Sequence, residues 1–226
     1  MTLTKGNLEP RPRRIGLKQK RITYSIDRVL ILPQPRIRKI GFFRVLKTRR
    51  SSCNFKPIKK SQLADFLGHA FRTSKVGLDS TGRLSQHRAS PSAGGIHPID
   101  TFIFNFPPTS RDIYYYDPFG HTLKRIVAST TKDLRGLREQ VLSIKGEALG
   151  TCVWFAAQSH LTSAKYHQAE SLIWRDSGCL IMTAYMVATA LNLKCCAIGI
   201  TGNNSFSSLD SQKHKLVGVG GILLGS

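Results

Sequence analysis

Residues 151–200 read TCVWFAAQSHLTSAKYHQAESLIWRDSGCLIMTAYMVATALNLKCCAIGI, and three patterns within them decide the fold. Thr151–Ala157 is a short apolar run with two aromatic residues, which predicts a buried strand. Ser163–Leu193 has no proline and spaces its apolar residues as a helix does, so it predicts one long helix buried on most sides. Cys195–Ile200 is another short apolar run and predicts a second strand.

Patterns on either side of this centre complete the fold prediction. Ser61 is a helix N-cap residue in front of an apolar stripe, and two β-branched, aromatic runs flank a proline-rich breaker. The further predicted elements are a helix at Gln62–Phe71, adjacent strands at Thr101–Phe106 and Asp112–Tyr116, a helix at Thr131–Ile144 and a strand at Leu216–Leu224. Lys75–Gly95 is rich in turn formers and predicts a long functional loop. This order predicts an α+β fold in which helices cover a mainly antiparallel sheet.

Length and composition predict one domain without structural disulfides. The chain has 226 residues, of which 41% are hydrophobic, enough for one sizeable core. Its five cysteines form no CxxC pair and no zinc spacing with histidine, so we expect a reduced, cytoplasmic protein without a catalytic metal. The sequence shows no signal peptide and no membrane span, and it lacks the GxSxG, P-loop and GxGxxG motifs.

Positive charge is concentrated at the start of the chain. The first 50 residues contain 15 Lys and Arg against Glu9 and Asp27, a net charge of +13, whereas the other 176 residues carry +8 of the total of +21. We therefore expect residues 1–45 to be a basic arm that attracts an anionic peptide, an acidic partner surface or nucleic acid. Few aromatic residues are interleaved with these charges, so nucleic-acid binding would be non-specific.

Two short motifs could bind a phosphate or a flat cofactor. Ser92–Gly95 combines two small residues with two glycines, so its backbone amides are open to close approach. Arg49–Ser51 places two guanidinium groups beside a hydroxyl, a set that can bind phosphate. Taken alone, the first motif is more typical of an ordinary glycine-rich turn, and the second is equally typical of a solvated basic turn.

Lys165 and Tyr166 could move a proton. Both fall near the start of the predicted long helix, where unpaired amides disfavour a protonated lysine. A surface cation beside a half-buried ring is the commoner meaning of such a pair on an amphipathic helix.

Taken together, these motifs resemble the azoline-dehydrogenase branch of the nitroreductase-like flavoproteins, the oxidases of microcin-type and streptolysin-type peptide maturation. The resemblance covers about residues 45 to 200 and follows the family order. The matching blocks are RRSSCNF at 49–55, PSAGGIHP at 91–98, YYYDP at 114–118 and the pair Lys165–Tyr166. It implies a nitroreductase-like domain over residues 46–226, an FMN cofactor and an interlocked homodimer whose two subunits shape each flavin pocket.

The resemblance also implies a reaction and residue roles. A thiazoline or oxazoline ring in a ribosomally made peptide would lose a hydride to the flavin and become a thiazole or oxazole, with oxygen reoxidising the flavin. Lys165 and Tyr166 would remove the ring proton. The FMN phosphate and ribityl chain would be bound by Arg49, Arg50 and Ser51, and the flavin ring by Pro91, Ser92, Ala93, Gly94 and Gly95. A cyclodehydratase would form the rings first, and the basic arm would dock it or the precursor peptide.

Two positions depart from the family pattern, and two other functions stay open. Cys53 stands where an arginine is common, and Met182 stands where the long helix often has glutamine. One alternative is NAD(P)H-dependent reduction of nitro compounds or quinones on the same scaffold. The other is a non-catalytic basic adaptor that binds peptide or nucleic acid.

Overall fold

A computed structural model describes residues 9–15, 17, 19–52, 54–79, 82, 84–108, 110–127, 132–145, 150–202, 205–206, 209 and 216–226. The strands are β1 (Arg11–Pro12), β2 (Ile26–Ile31), β3 (Lys75–Leu78), β4 (Leu84–His87), β5 (Ile99–Phe104), β6 (Ile113–Asp117), β7 (Thr122–Ile126), β8 (Thr151–Gln158), β9 (Tyr166–His167), β10 (Lys194–Ile198) and β11 (Leu216–Gly225). The helices are α1 (Phe42–Thr48), α2 (Lys60–Phe71), α3 (Lys132–Lys145), α4 (Ser159–Lys165) and α5 (Glu170–Ala190), with a 3₁₀ turn at Ala93–Gly95.

One sheet of seven strands organises the protein. Its order is β10-β11-β8-β5-β6-β7-β2, and every neighbouring pair is antiparallel. The predicted α+β fold with an antiparallel sheet is therefore confirmed. Most of the predicted elements are confirmed within a few residues: α2, α3, β5, β6, β8, β10 and β11.

Strand β8 lies inside the sheet and is buried on both faces. Val153 and Phe155 point into the core that α2 and α5 cover, whereas Cys152 and Trp154 point into the core that includes α3. Side chains alternate along a strand, so a fully apolar strand needs a covered face on each side. The unbroken apolar run from residue 151 thus reflects two cores on opposite faces of one sheet.

The prediction of a single loop at Lys75–Gly95 is wrong, because β3 and β4 form an antiparallel hairpin within this segment. The apolar residues of this hairpin, Val76, Leu78 and Leu84, are all exposed. Short strands without a buried face lack the alternation that identifies strands in a sequence, and turn-forming residues dominate the composition here.

The predicted single helix Ser163–Leu193 is wrong, because α4 ends at Lys165 and α5 begins at Glu170. Gln168 between them has φ of +53°, which a right-handed helix cannot contain. Helix α5 exposes one stripe that includes two large apolar side chains, Trp174 and Met182, and its other faces are buried or half-buried, as expected. The first residue of α2 differs by less: Lys59, rather than Ser61, occupies the N-cap position.

Part of the predicted basic arm belongs to the sheet. Ile26–Ile31 pairs with Thr122–Ile126 as an edge strand. Closer to the start, Arg11–Pro12 pairs with Tyr166–His167 in a separate two-stranded ladder. The division of the chain at residue 45 stays a prediction. No helix in the described part of the chain is long and apolar enough to cross a membrane.

Candidate active site

The glycine-rich turn and the Lys-Tyr pair, which are about 70 residues apart in sequence, lie against each other. Gly94 has φ of +62° and is exposed. A β-carbon on Gly94 would lie 2.8 Å from Tyr166 Oη and 2.9 Å from Lys165 Nζ. Lys165 Nζ also donates a hydrogen bond to Gly94 O at 3.2 Å. Glycine therefore leaves an open stretch of backbone beside two groups that can exchange protons.

Asp176 of α5 fixes the conformation of this turn. Ser92 Oγ donates to one carboxylate oxygen of Asp176 at 2.5 Å, and the Ala93 amide donates to the other at 3.1 Å. The His97 amide in turn donates to Ser92 Oγ at 3.0 Å. Burial raises the pKa of Asp176, and the hydrogen bonds from Ser92 and Ala93 oppose that shift. Two of the predicted cofactor-binding residues are thus held from α5, while Pro91 is exposed at the start of the turn.

Lys165 forms an ion pair with the hairpin loop. Its Nζ lies 2.7 Å from Asp79 Oδ2, and both side chains are largely buried. The expectation that Lys165 lies near a helix start is wrong: it is in the last turn of α4, where the helix dipole favours a cation. Asp79, rather than a helix terminus, is the group that faces this amine.

Buried polar groups surround the turn on the hairpin side. Arg88 is 7% exposed and donates to Gln86 Oε1 at 2.7 Å. His97 Nε2 is 3.0 Å from Gln86 O and therefore carries a proton in the neutral ring. Burial, reinforced by the positive charge of Arg88, lowers the pKa of His97 to about 4. His97 is neutral near pH 7 and acts as a hydrogen-bond donor to the hairpin.

Arg49 and Ser51 form a second cluster at the other end of α5. Ser51 Oγ is 2.9 Å from Tyr185 Oη, and the Arg49 guanidinium carbon lies 5.3 Å from the centre of the Tyr185 ring. Tyr185 Oη also accepts a hydrogen bond from the Ala197 amide at 2.8 Å. Arg50 differs from Arg49, because its Nη1 donates to main-chain carbonyls at the end of α1.

Within one chain, these two clusters are separate. Asp176 and Tyr185 are nine residues apart on α5, which corresponds to about 14 Å along the helix axis. The structure thus brings the Gly94 turn together with Lys165 and Tyr166, and it does not bring Arg49–Ser51 to them.

A sequence profile of the nitroreductase family matches residues 46–222, from the end of α1 to β11. The chain belongs to the nitroreductase family. Proteins of this family are flavin-dependent oxidoreductases, so the two clusters belong to a flavoprotein scaffold. No curated protein sequence matches the chain significantly.

Several solved structures share this nitroreductase fold. A candidate nitroreductase from Ralstonia eutropha JMP134 has a TM-score of 0.63 at 20% identity, covering 96% of this chain and 98% of its own. The Escherichia coli microcin synthetase McbBCD complex with truncated pro-MccB17 bound contains a chain with a TM-score of 0.58 at 16% identity, over 88% of this chain and 78% of its own. A candidate NAD(P)H:FMN oxidoreductase from Staphylococcus epidermidis has a TM-score of 0.54 at 11% identity, over 85% of this chain and 90% of its own.

The residues of both clusters fit a flavin, the cofactor of the nitroreductase family. Gly94 is exposed, so a flat ring can approach its backbone, while Lys165 and Tyr166 fill the side on which a β-carbon would stand. Arg49 and Ser51 supply a cation and a hydroxyl, the donors that suit a phosphate. Cys53 lies outside the described residues, and Met182 is 45% exposed on α5. The described residues contain no group of three His, Cys, Asp or Glu side chains that could hold a metal ion.

Three residues of the candidate site were not predicted: Asp79, Asp176 and Tyr185. Asp79 is the sole acidic residue between positions 75 and 95, and Asp176 is the sole one between 171 and 192. Each of these two residues is therefore a lone carboxylate, Asp79 in a basic segment and Asp176 in an apolar helix, and this was the sequence signal that could have identified them. Tyr185 carried no such signal, because its partners come from distant segments.

Proposed function

We propose that this nitroreductase-family protein uses FMN to oxidise thiazoline or oxazoline rings in a ribosomally synthesised peptide to thiazoles or oxazoles. The contact of Lys165 and Tyr166 with the open backbone of Gly94 carries the proposal. Oxidation of an azoline removes a hydride and a proton from neighbouring atoms of one ring. A site for this reaction needs a proton acceptor beside the face of the flavin, and here two such groups adjoin the turn that would hold it.

When bound, the flavin supplies the two-electron acceptor, and oxygen is the final oxidant. The protein's own part is to receive the proton and to hold the ring in position. Lys165 Nζ is hydrogen-bonded to Gly94 O and ion-paired with Asp79, so its position is fixed from two sides. Tyr166 Oη lies against the same glycine and can bind a heteroatom of the substrate ring.

Asp79 holds the Lys165 amine in place. Its carboxylate oxygen Oδ2 lies 2.7 Å from Lys165 Nζ. After the ring proton has moved to Lys165, this ion pair stabilises the ammonium group that forms. Asp79 thus favours the product of proton transfer.

Arg49, Arg50 and Ser51 would bind the FMN phosphate and ribityl chain. The cation and hydroxyl beside Tyr185 make Arg49 and Ser51 the stronger pair, because the Arg50 guanidinium already donates to main-chain carbonyls. The backbone of Pro91–Gly95 would contact the ring. The amide of Gly94 is the group best suited to face flavin charge.

A homodimer would unite the two clusters, which lie apart in one chain. Apolar side chains are exposed on two helices that pack against each other, α1 and α5. They are Phe42, Phe43, Leu46, Trp174 and Met182, exposed by 64%, 82%, 42%, 44% and 45%. Exposed apolar side chains on packed helices favour association with a second copy. Sedimentation equilibrium should give twice the mass of the chain.

A cyclodehydratase and the precursor peptide are the proposed partners. The likeness of fold to a chain of the microcin synthetase complex, which has a truncated pro-peptide bound, supports this choice. The basic segment before residue 45 would attract acidic regions of either partner, mainly by long-range electrostatics. Its strand Arg11–Pro12 lies beside the candidate active site, since it pairs with Tyr166–His167.

Purified protein should bind FMN and convert an azoline-containing peptide to the azole, with a mass loss of two hydrogens per ring. We expect Lys165→Ala and Tyr166→Phe to keep FMN and to lose about 10²–10⁴-fold in turnover, the usual contribution of acid–base groups. An absorption spectrum, release of FMN and peptide mass spectrometry provide the measurements. NAD(P)H oxidation with a nitro compound or quinone, and no azoline turnover, would instead support the reductase alternative. Protein that cannot bind FMN would support the basic adaptor.

A further inference from the structure

A short stretch of the N-terminal arm, the described residues between 11 and 22, contacts both the Lys165 segment and the glycine-rich turn. We name it the arm strap. On one side it follows the Lys165 segment: the Arg13 amide donates to Lys165 O at 2.9 Å, and the Leu17 amide donates to Ala164 O at 3.0 Å. The Arg13 side chain adds a hydrogen bond to Ser163 O at 2.8 Å. The main chain that carries Lys165 is thus held by the arm strap.

On its other side, the arm strap reaches the glycine-rich turn through Arg21. Arg21 Nη2 donates to Ile96 O at 2.7 Å and to His97 O at 2.9 Å. Arg21 Nη1 lies 3.8 Å from the buried carboxylate of Asp100. One guanidinium group therefore joins the end of the turn to the first residues of β5.

Two further side chains contact the main chain of the arm strap between Arg13 and Ile22. His160 Nε2 is 2.9 Å from Lys20 O, which joins the strap to the start of α4. The Ile22 amide donates to Gln158 Oε1 at 2.8 Å, which joins it to the end of β8. Lys165 and Gly94 are therefore linked through a third segment in addition to their direct contact.

We propose that Arg21 is a positioning residue: through the arm strap, it sets the position of the Gly94 turn relative to Lys165 and Tyr166. Arginine suits this role because its planar fork can donate to two carbonyl oxygens and form an ion pair with a carboxylate at the same time. A lysine offers one ammonium centre and cannot hold the same three acceptors in a fixed geometry. The consequence for turnover rests on the proposed function; the structural coupling does not.

Hydrogen exchange in the protein without substrate tests the coupling directly. Arg21→Met removes all three contacts and keeps an apolar side chain of similar length. We expect exchange to become about tenfold faster both at the amides of Arg13 and Leu17 and at those of Gly95–His97, because both groups would open more often. Arg111→Met is the matched control: it also removes one positive charge, and it lies in the loop between β5 and β6, at the opposite end of β5.

The same variants should separate positioning from general stability. With FMN bound, Arg21→Met should lower kcat for azoline oxidation by about 10–100-fold and change the Kd for FMN by less than about threefold, since a small misplacement of reacting groups has effects of this size. Arg21→Lys should recover part of kcat.

Unchanged exchange at both groups of amides would overturn the proposal, and so would faster exchange across the whole chain with a matching fall in Tm. If the wild type lacks azoline activity but Arg21→Met still speeds exchange at both groups, the proposed function fails and the coupling stands.

Discussion

The two ends of α5 carry the two halves of the candidate site, and they differ in how completely one chain builds them. At the first end, a continuous network of hydrogen bonds runs from Asp176 through the glycine-rich turn to Lys165, which is also ion-paired with Asp79. At the second end, Arg49 and Ser51 contact Tyr185 and lie at the surface. In our proposal, the first end fixes the geometry that proton transfer requires, and the second end binds an anion.

The comparison is tested most strongly at Asp79, which belongs to the first end. Asp79→Asn removes the ion pair that stabilises the Lys165 ammonium group but keeps the size of the side chain. We expect kcat for azoline oxidation to fall by about 100-fold with little change in FMN affinity. Steady-state kinetics and flavin titration measure both. Asp27→Asn is a control with the same change of charge. Asp27 lies on the edge strand β2, where it pairs with Arg125 of β7, so this variant should leave turnover unchanged.

The pH dependence of stability sharpens the comparison, because His97 lies at the first end only. Its pKa is about 4 in the folded protein, whereas an unfolded histidine has an ordinary value near 6.5. Between these values the unfolded chain binds more protons, so the free energy of unfolding decreases as pH falls from about 6.5 to about 4, by up to about 3 kcal/mol in total.

Denaturant unfolding at a series of pH values should show this decrease in the wild type. His97→Asn should lose most of it, since asparagine does not titrate and tolerates the φ of +46° at this position. An identical pH dependence in the two proteins would contradict the neutral, buried state of His97.

A pair of glycine variants tests whether close contact matters at the first end. Gly94 and Gly82 both have positive φ, +62° and +74°, so alanine costs about 1–2 kcal/mol of strain at either position. At Gly94 alone, the new β-carbon would lie within 3.0 Å of Lys165 and Tyr166, whereas the space around Gly82 is open. Gly94→Ala should lower turnover by about 30-fold beyond Gly82→Ala. Equal turnover in the two variants would place the reaction elsewhere.

The smallest expected effect concerns the second end. Arg49→Met should weaken FMN binding by about tenfold, the contribution of one charge-assisted contact to phosphate. Arg50→Met should weaken it less, because the Arg50 guanidinium donates to the carbonyls of Lys47 and Arg49. Turnover at saturating FMN should change little in both. Fluorescence titration with FMN measures the Kd of both variants. A larger loss of affinity in Arg50→Met than in Arg49→Met would contradict the choice of Arg49 as the stronger phosphate ligand.

The sequence predicted what periodicity encodes and missed what distant contacts create. Strand β8 and helix α3 were predictable because their apolar spacing reflects buried faces. The β3–β4 hairpin was not, because its apolar residues are exposed. The break between α4 and α5 was also missed, since Gln168 adopts its positive φ where Tyr166–His167 pairs with the arm.

The candidate site shows the same division. The family motifs predicted Gly94, Lys165 and Tyr166, and the structure brings these residues together. Their assigned roles stay predictions. Asp79 reaches Lys165 from a segment that sequence patterns describe only as a loop. Arg21 reaches the end of the glycine-rich turn from a segment that they describe only as a basic arm. A contact of this kind depends on the whole fold, so short-range patterns cannot reveal it.

Reduction of bound FMN by an azoline peptide in the absence of oxygen tests the central claim most directly. Without another oxidant, each flavin can accept one hydride, and its visible absorbance should bleach as one azoline becomes an azole. We predict rapid bleaching in the wild type and bleaching about 100-fold slower in Lys165→Ala with the same FMN content. Bleaching by NADPH but not by the azoline peptide, or equal rates in the two proteins, would contradict the account.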